Sequence, residues 1–433
     1  MPKRCFGILR WWPRRESNPH QKFRKLLFYP LNYGAPLSAA NVVIFTHLFR
    51  TARPSNLPRF GYLNAMKYVR MPIEVESPEE LGYNTILHNL AESSLCDLSV
   101  ADLPTLPGNL LLAYGDHKGI PQLRQLIAEE GGISDASQVL LTPGAAGALF
   151  FVNTSILSRE KHLLVMHPNY ATNFETPRAI GCDISYIKLL TEKALIRRKE
   201  ILGLLQPNTA MISLTTPHNP TGKCIPEEDM NWLIELCEEK QIFLLVDETY
   251  RSIPLGKKPG ALYAARSKMV ISVSSLSKAF GLPGLRIGWA VTSNKNLYNT
   301  LLAAKEQVIL GNPVVDETLA LEAMKKKDII LHSMEKHLQT NLKLLTSWMQ
   351  NETRIQVPLP EGGCVCFCKL PEAARTKVFY EVLYDKHKTY VGPGHWFEQD
   401  DHYFRLGFGW PKPDSLKQGL LAISAALDEA LRK

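Results

Sequence analysis

The chain reads as an α/β protein, with a large domain built on a seven-stranded, mostly parallel sheet and a smaller α+β domain after it. Three observations predict this. Over residues 113–324 short apolar runs alternate with amphipathic stretches, the pattern of repeated βα units around a parallel sheet. Seven of those runs have the length of a strand. After residue 349 the alternation gives way to two separated strands and a closing amphipathic helix. The 433 residues, 45% hydrophobic and 21% charged, supply enough chain for both domains and exclude a disordered or collagen-like protein.

In chain order the candidate strands are 139–142, 162–166, 182–189, 210–214, 242–246, 269–273 and 286–291. The clearest helix, 226–240, has a proline at its start and Glu227, Glu228 and Asp229 at the positive end of the dipole. Met230, Leu233, Ile234 and Cys237 share one of its faces. A long helical region follows at 313–349, then strands at 364–370 and 402–408. The last helix carries Leu416, Leu420, Ile423, Leu427 and Leu431 on one side. This divides the folded part into a large ligand-binding domain, 113–325, and a small C-terminal domain, 326–433, with the segment 66–112 packing against the latter.

Residues 1–65 read differently. They hold 11 Lys and Arg against one acid, Glu16, so the net charge of +8 sits in this leader and the rest of the chain is close to neutral. A nucleic-acid-binding body would need basic residues clustered on a folded face, and the body shows no such excess. The leader also has seven prolines and no helical or strand period. An organellar transit segment, a nucleic-acid-binding arm and an upstream extension outside the folded protein all remain open for it. The last is favoured, because the composition becomes ordinary from Met66 onward. No apolar run reaches the roughly 18 residues of a membrane span. The eight cysteines contain no C-x-x-C pair, and Cys364, Cys366 and Cys368 alternate so as to share one strand face, which reads as packing in a reducing, cytoplasmic setting.

Ligands of an open α/β sheet bind beyond the carboxyl ends of its strands. Five strands there deliver Pro143-Gly144-Ala145-Ala146-Gly147, Pro168-Asn169-Tyr170, His218-Asn219-Pro220-Thr221-Gly222, Asp247-Glu248-Thr249-Tyr250 and Ser275-Leu276-Ser277-Lys278. A Gly-Ala turn opening a helix offers backbone N–H groups to a phosphate, with Ser275 and Arg286 to complete the anion site. Asp247 can pair with a protonated ring nitrogen, Asn219 and Tyr250 can bond one ring oxygen, and Tyr170 can stack on the ring. A lysine among cationic and apolar neighbours is an imine-forming nucleophile. Pyridoxal phosphate has all the complementary groups, and no metal site is expected.

These segments, in this order and with Arg286 eight residues after Lys278, resemble the class I/II aminotransferases, fold-type-I enzymes dependent on pyridoxal 5'-phosphate. The resemblance runs from about Tyr114 to Phe408. It implies that Lys278 holds the cofactor covalently and shuttles the substrate proton, while Asp247 keeps the pyridine nitrogen protonated. It further implies that Asn219, Tyr250 and Tyr170 hold the ring, that Gly144, Ala145, Ala146, Ser275 and Arg286 hold the phosphate, and that Arg405 clamps the substrate carboxylate next to Asn219. Tyr114 resembles the tyrosine that reaches the neighbouring subunit's cofactor, which implies a homodimer with shared sites. The implied reaction moves an amino group between an L-amino acid and a 2-oxo acid by a ping-pong route through pyridoxamine phosphate.

Two departures stand out. Ala91, in Asn89-Leu90-Ala91-Glu92-Ser93, replaces a glycine that usually closes over the substrate, and no second arginine of the kind that selects dicarboxylic substrates can be placed. The side-chain pocket is expected from the small domain and from 307–313. A lyase or cyclase of the same fold would keep every residue named. A non-catalytic sensor whose leader contacts DNA would need a helix-turn-helix period that the leader lacks.

Overall fold

The seven expected strands form a single sheet in the structure, a computed structural model that describes residues 65–432 except 190–195, 254 and 256–259. The readings made for 1–64, including the leader, fall outside the described residues. In chain order the strands are β1 (His88–Asn89), β2 (Val139–Pro143), β3 (His162–His167), β4 (Asp183–Lys188), β5 (Thr209–Thr215), β6 (Phe243–Asp247), β7 (Val270–Ser275), β8 (Ile287–Val291), β9 (Val365–Lys369), β10 (Thr389–Tyr390), β11 (Gly392–Pro393) and β12 (Tyr403–Gly407). The large sheet runs β2-β8-β7-β6-β5-β3-β4. Only β8 opposes its neighbours. It follows β7 through a connection that holds no α-helix, only the short 3₁₀ turn Pro283–Leu285, and without a crossover helix the chain returns antiparallel.

Alternate residues of these strands enter two separate apolar clusters, because successive side chains point to opposite faces. Leu140, Leu163, Val165, Met211, Leu245 and Ile271 join one cluster, with Ala148, Leu149, Phe151 and Val152 of the helix Gly144–Ile156. Leu141, Leu164, Met166, Ile212, Leu244 and Val270 join the other, with Met230, Leu233, Ile234 and Cys237 of the helix Glu227–Lys240. Both faces are therefore covered, which is why the strands read as continuous apolar runs rather than as alternating ones.

Beyond the large sheet, the expected helical region 313–349 is two helices, Val314–Lys325 and Lys327–Asn351. They part at Lys326, where the backbone leaves helical geometry beside a lysine that suits the negative end of the first helix. Strands β11, β12 and β9 form an antiparallel sheet in that order. Cys364, Cys366 and Cys368 are all fully buried in one cluster beneath it, as their alternation predicts. The early segment joins this part of the molecule through β1, which pairs in parallel with β10, and through Gly407 N–H, which donates to Leu90 O. Among the described residues no helix is long and apolar enough to cross a membrane.

Candidate active site

A cavity of about 530 Å³ opens at the carboxyl ends of β5, β6 and β7. Strand geometry brings the side chains there. Asp247 is the last residue of β6 and Ser275 the last of β7, so the sheet register fixes both, and the turns that follow place Tyr250 and Lys278. Ala145, Ala146, Tyr170, Asn219, Asp247, Tyr250, Ser275, Lys278, Arg286 and Arg405 all line this one cavity. Ten of the twelve residues singled out from the sequence line it, and Gly144, outside the wall, opens the helix whose next two residues are in it.

Lys278 Nζ donates to Ser93 Oγ at 3.0 Å and makes no ion pair among the described residues. Burial pushes its pKa below the ordinary lysine value, opposed by nearby Glu92 and reinforced by Arg405. Asp247 is 5% exposed. Its Oδ1 accepts from the N–H of Thr249 at 3.1 Å, yet no cation lies within ion-pair distance among the described residues, and burial raises its pKa. Arg405 is buried as well: Nη1 donates to Asn219 Oδ1 at 3.0 Å, Nη2 to Ala91 O at 2.6 Å, and Nε has no acceptor.

The phosphate end is shaped by backbone. Gly144 has φ +72°, a left-handed conformation costly for a residue with a Cβ, and a Cβ there would lie 2.6 Å from Arg286 Nη2. Arg286 itself takes φ +51°, held by its own Nη1 donating to Pro283 O at 2.9 Å. The guanidinium is thereby laid against the first turn of the helix Gly144–Ile156, where the free N–H groups point at an anion.

Tyr170 rather than Phe174 faces the cavity. Its hydroxyl donates to Glu74 Oε1 at 3.0 Å, whereas Phe174 is fully buried in the core. His218 serves its turn, with Nδ1 against Thr221 Oγ1 and Nε2 against Pro168 O, and burial lowers its pKa to about 3. Tyr114 is not brought to this chain's cavity and stands 90% exposed.

The stretch 307–313 does not line this chain's own cavity: Asn312 Nδ2 donates to Thr142 O at 2.9 Å, and Gly311 lies beside Asp116, two residues from Tyr114. The wall opposite the strand ends comes from residues 73–97, among them Tyr83, Glu92 and Ser93. The resemblance alone sets residues 89–93 over the substrate; Tyr83 carries no sequence signal, and the role of Ser93 rests on meeting Lys278 across 185 positions of chain.

Residues 91–422 match the family described as aminotransferase class I and II. The chain belongs to this family. Capreomycidine synthase of Streptomyces vinaceus is 27% identical over 79% of this chain and 88% of its own length. A solved aminotransferase from Streptococcus suis, described as PLP-dependent, superposes with a TM-score of 0.76 at 26% identity, covering 83% of this chain and 98% of that one. A PLP-dependent cyclase, OrfR, superposes with a TM-score of 0.75 at 26% identity over 85% and 100% of the two chains.

The aminotransferase cofactor is pyridoxal 5'-phosphate, and the residues present fit it. A buried carboxylate without a cation suits a protonated pyridine nitrogen, which returns Asp247 to its charged form. The Gly144 turn with Arg286 suits a phosphate. An amine whose proton is weakened by burial and whose one bond is to a hydroxyl suits an imine-forming lysine.

Proposed function

We propose that this enzyme transfers an amino group from an L-amino acid to a 2-oxo acid in two half-reactions of ping-pong order, as a cytoplasmic homodimer. The observation that carries the reading is the convergence of Lys278, Asp247, Asn219 and Arg405 on one cavity, with the amine bonded only to Ser93. When bound, pyridoxal phosphate supplies the electron sink that lets a Cα–H bond ionise.

The protein's own groups do the rest. Lys278 Nζ would hold the cofactor and, once the substrate's own amine has displaced it, take the proton from the substrate Cα and return it two bonds away, across the substrate nitrogen, with burial keeping the amine basic enough to accept and acidic enough to give. Ser93 Oγ points that amine. Asp247 holds a proton on the ring nitrogen, Asn219 and Tyr250 bond the ring oxygen, and Tyr170 packs against the ring. The N–H groups of Ala145 and Ala146, with Ser275 and Arg286, bind the phosphate. Arg405, its guanidinium fixed by Asn219 and by Ala91 O, takes the α-carboxylate, for which a planar fork is better suited than an ammonium. Tyr114 reaches a second copy of the chain, which accounts for its exposure. The large domain is 113–325 and the small one 326–433, with 66–112 packing against the small one through β1 and β10.

The test is stoichiometric. Loaded protein given one amino acid and no acceptor should release one equivalent of 2-oxo acid per site and stop, then resume when a 2-oxo acid is added. Product that accumulates past one equivalent without an acceptor would overturn transamination. It would favour the second reading, elimination or cyclisation, for which the likeness to capreomycidine synthase and to the cyclase OrfR speaks.

A further inference from the structure

Across the cavity from the strand ends, the wall carries Glu92, Glu79 and Asp97, and the cations that act on Glu92 are Lys278 and Arg405. Glu92 receives only two long hydrogen bonds, from Tyr83 OH at 3.3 Å and Asn89 Nδ2 at 3.4 Å, both on Oε1. Among the described residues nothing donates to its Oε2 and it makes no ion pair. Glu79 and Asp97 line the same wall and both act electrostatically on Glu92. Glu79 has no hydrogen bond or ion pair among the described residues, and Asp97 takes only a neutral donor, Trp410 Nε1 at 2.8 Å. The rings of Tyr83 and Trp410 lie nearly parallel, with centroids 6.3 Å apart, so an aromatic pair flanks the carboxylates.

The opposite polarity stands at Arg405, whose Nη2 donates to Ala91 O. Arg405 is 4% exposed, lines the cavity and makes no ion pair among the described residues, which suits an anionic ligand group. A carboxylate at Arg405 and a cation at Glu92 describe the two ends of one molecule. Resting on the aminotransfer reading above, we propose that the amino donor is an L-amino acid with a cationic side chain, its α-carboxylate on Arg405 and its side-chain guanidinium or ammonium among Glu92, Glu79 and Asp97, against Tyr83.

The physical argument has three parts. Glu92 is the one of the three drawn partly out of water, with no ion pair among the described residues, and a cationic ligand lowers the cost of its charge while one of like charge adds to it. Aromatic faces attract guanidinium and ammonium groups, and Tyr83 offers one beside the acid that its hydroxyl already touches. Finally, a dicarboxylic substrate needs a cation at its distal end, and among the described residues the arginines in this chain's own cavity wall are Arg286, at the phosphate end, and Arg405.

Arginine and citrulline have nearly the same shape and differ in charge, so they test the idea directly. The full chain loaded with cofactor is given each in turn, and release of 2-oxo acid gives kcat/KM for both. Thermal shift of the loaded protein with each amino acid gives binding without turnover. The expected result is a preference for arginine of about 30-fold or more that falls at least tenfold in Glu92→Gln, with the larger thermal shift from arginine shrinking in parallel. Glu79→Gln, at an exposed position, lowers the preference as well and serves if the Glu92 variant does not fold. Equal use of citrulline and arginine, or an undiminished preference in both variants, overturns the proposal while leaving aminotransfer intact. Selective binding of arginine without oxo-acid release overturns the aminotransfer reading and supports the cationic site.

Discussion

The two walls of the cavity are held by different means. On one side Asp247 and Ser275 end strands whose neighbours on both sides are paired, and both are almost completely buried. On the other side Tyr83, Glu79 and Asp97 belong to loops and short turns and are substantially exposed, with Glu92 between the two extremes. The first wall can fix an atom to within a fraction of an ångström because moving it means moving the sheet. The second can change its side chains at little cost to the fold, as loops over a rigid scaffold do. The proposed chemistry sits on the first wall and the proposed choice of donor on the second.

The largest expected effect breaks the first wall. Lys278→Met should lower turnover by about 10⁴-fold or more, measured as 2-oxo acid release, because it removes both the covalent attachment and the proton carrier. The same change should stabilise the cofactor-free protein by about 1 kcal/mol in denaturant unfolding, since it replaces a buried amine with an apolar chain. The pH dependence has a definite sign. Burial lowers the folded pKa of Lys278 below 10.5, so in that interval the unfolded chain binds more protons and this residue's contribution to stability rises with pH. Comparing unfolding of the wild type with Lys278→Met as pH rises toward 10.5 should show the steeper slope in the wild type, since Lys305, whose pKa burial lowers to about 8, contributes equally to both.

Next comes Asp247→Asn, which keeps the shape and removes the charge. A loss of about 10²- to 10³-fold in kcat is expected, by analogy with removal of one preorganised electrostatic partner. Arg405→Lys should act mainly on KM, raising it about 10- to 100-fold as the forked contact is lost, with a smaller change in kcat. A kcat effect that dominates would mean that Arg405 acts on the reaction rather than on binding.

The smallest effect probes the seam between the walls. Ser93 Oγ accepts from the charged form of Lys278 and so favours it. Ser93→Ala should shift the pH dependence of Lys278 reactivity toward an amine-specific reagent to lower pH in the cofactor-free protein, with turnover falling less than about tenfold.

The first wall was readable in the sequence because each of its residues follows a strand immediately. The apolar run locates the strand, the strand's end locates the rim, and Asp247 and Ser275 occur where the register must present them. All seven strands of the large sheet were placed within two residues at either end for the same reason. The second wall gave no such handle in periodicity. Residues 89–93 could be set over the substrate only by resemblance, and the separate roles of Glu92 and Ser93 depend on lying beside Lys278, a long-range fact that neither periodicity nor spacing carries.

Residues 90–98 are clasped from two directions. Gly407 N–H donates to Leu90 O, and the main chains approach so closely there that a Cβ on Gly407 would lie 1.8 Å from Glu92 O. From the other direction Leu95 and Leu98 donate to the carbonyls of Lys278 and Gly281. Every one of these bonds is main chain to main chain. The stretch therefore works as a faceplate bolted to the strand of Arg405 and to the loop of Lys278, with fixings indifferent to what is mounted on it. Its side chains can be rewritten while the distance between carboxylate clamp and proton carrier is preserved, so donor preference can drift through a lineage with the reaction kept constant.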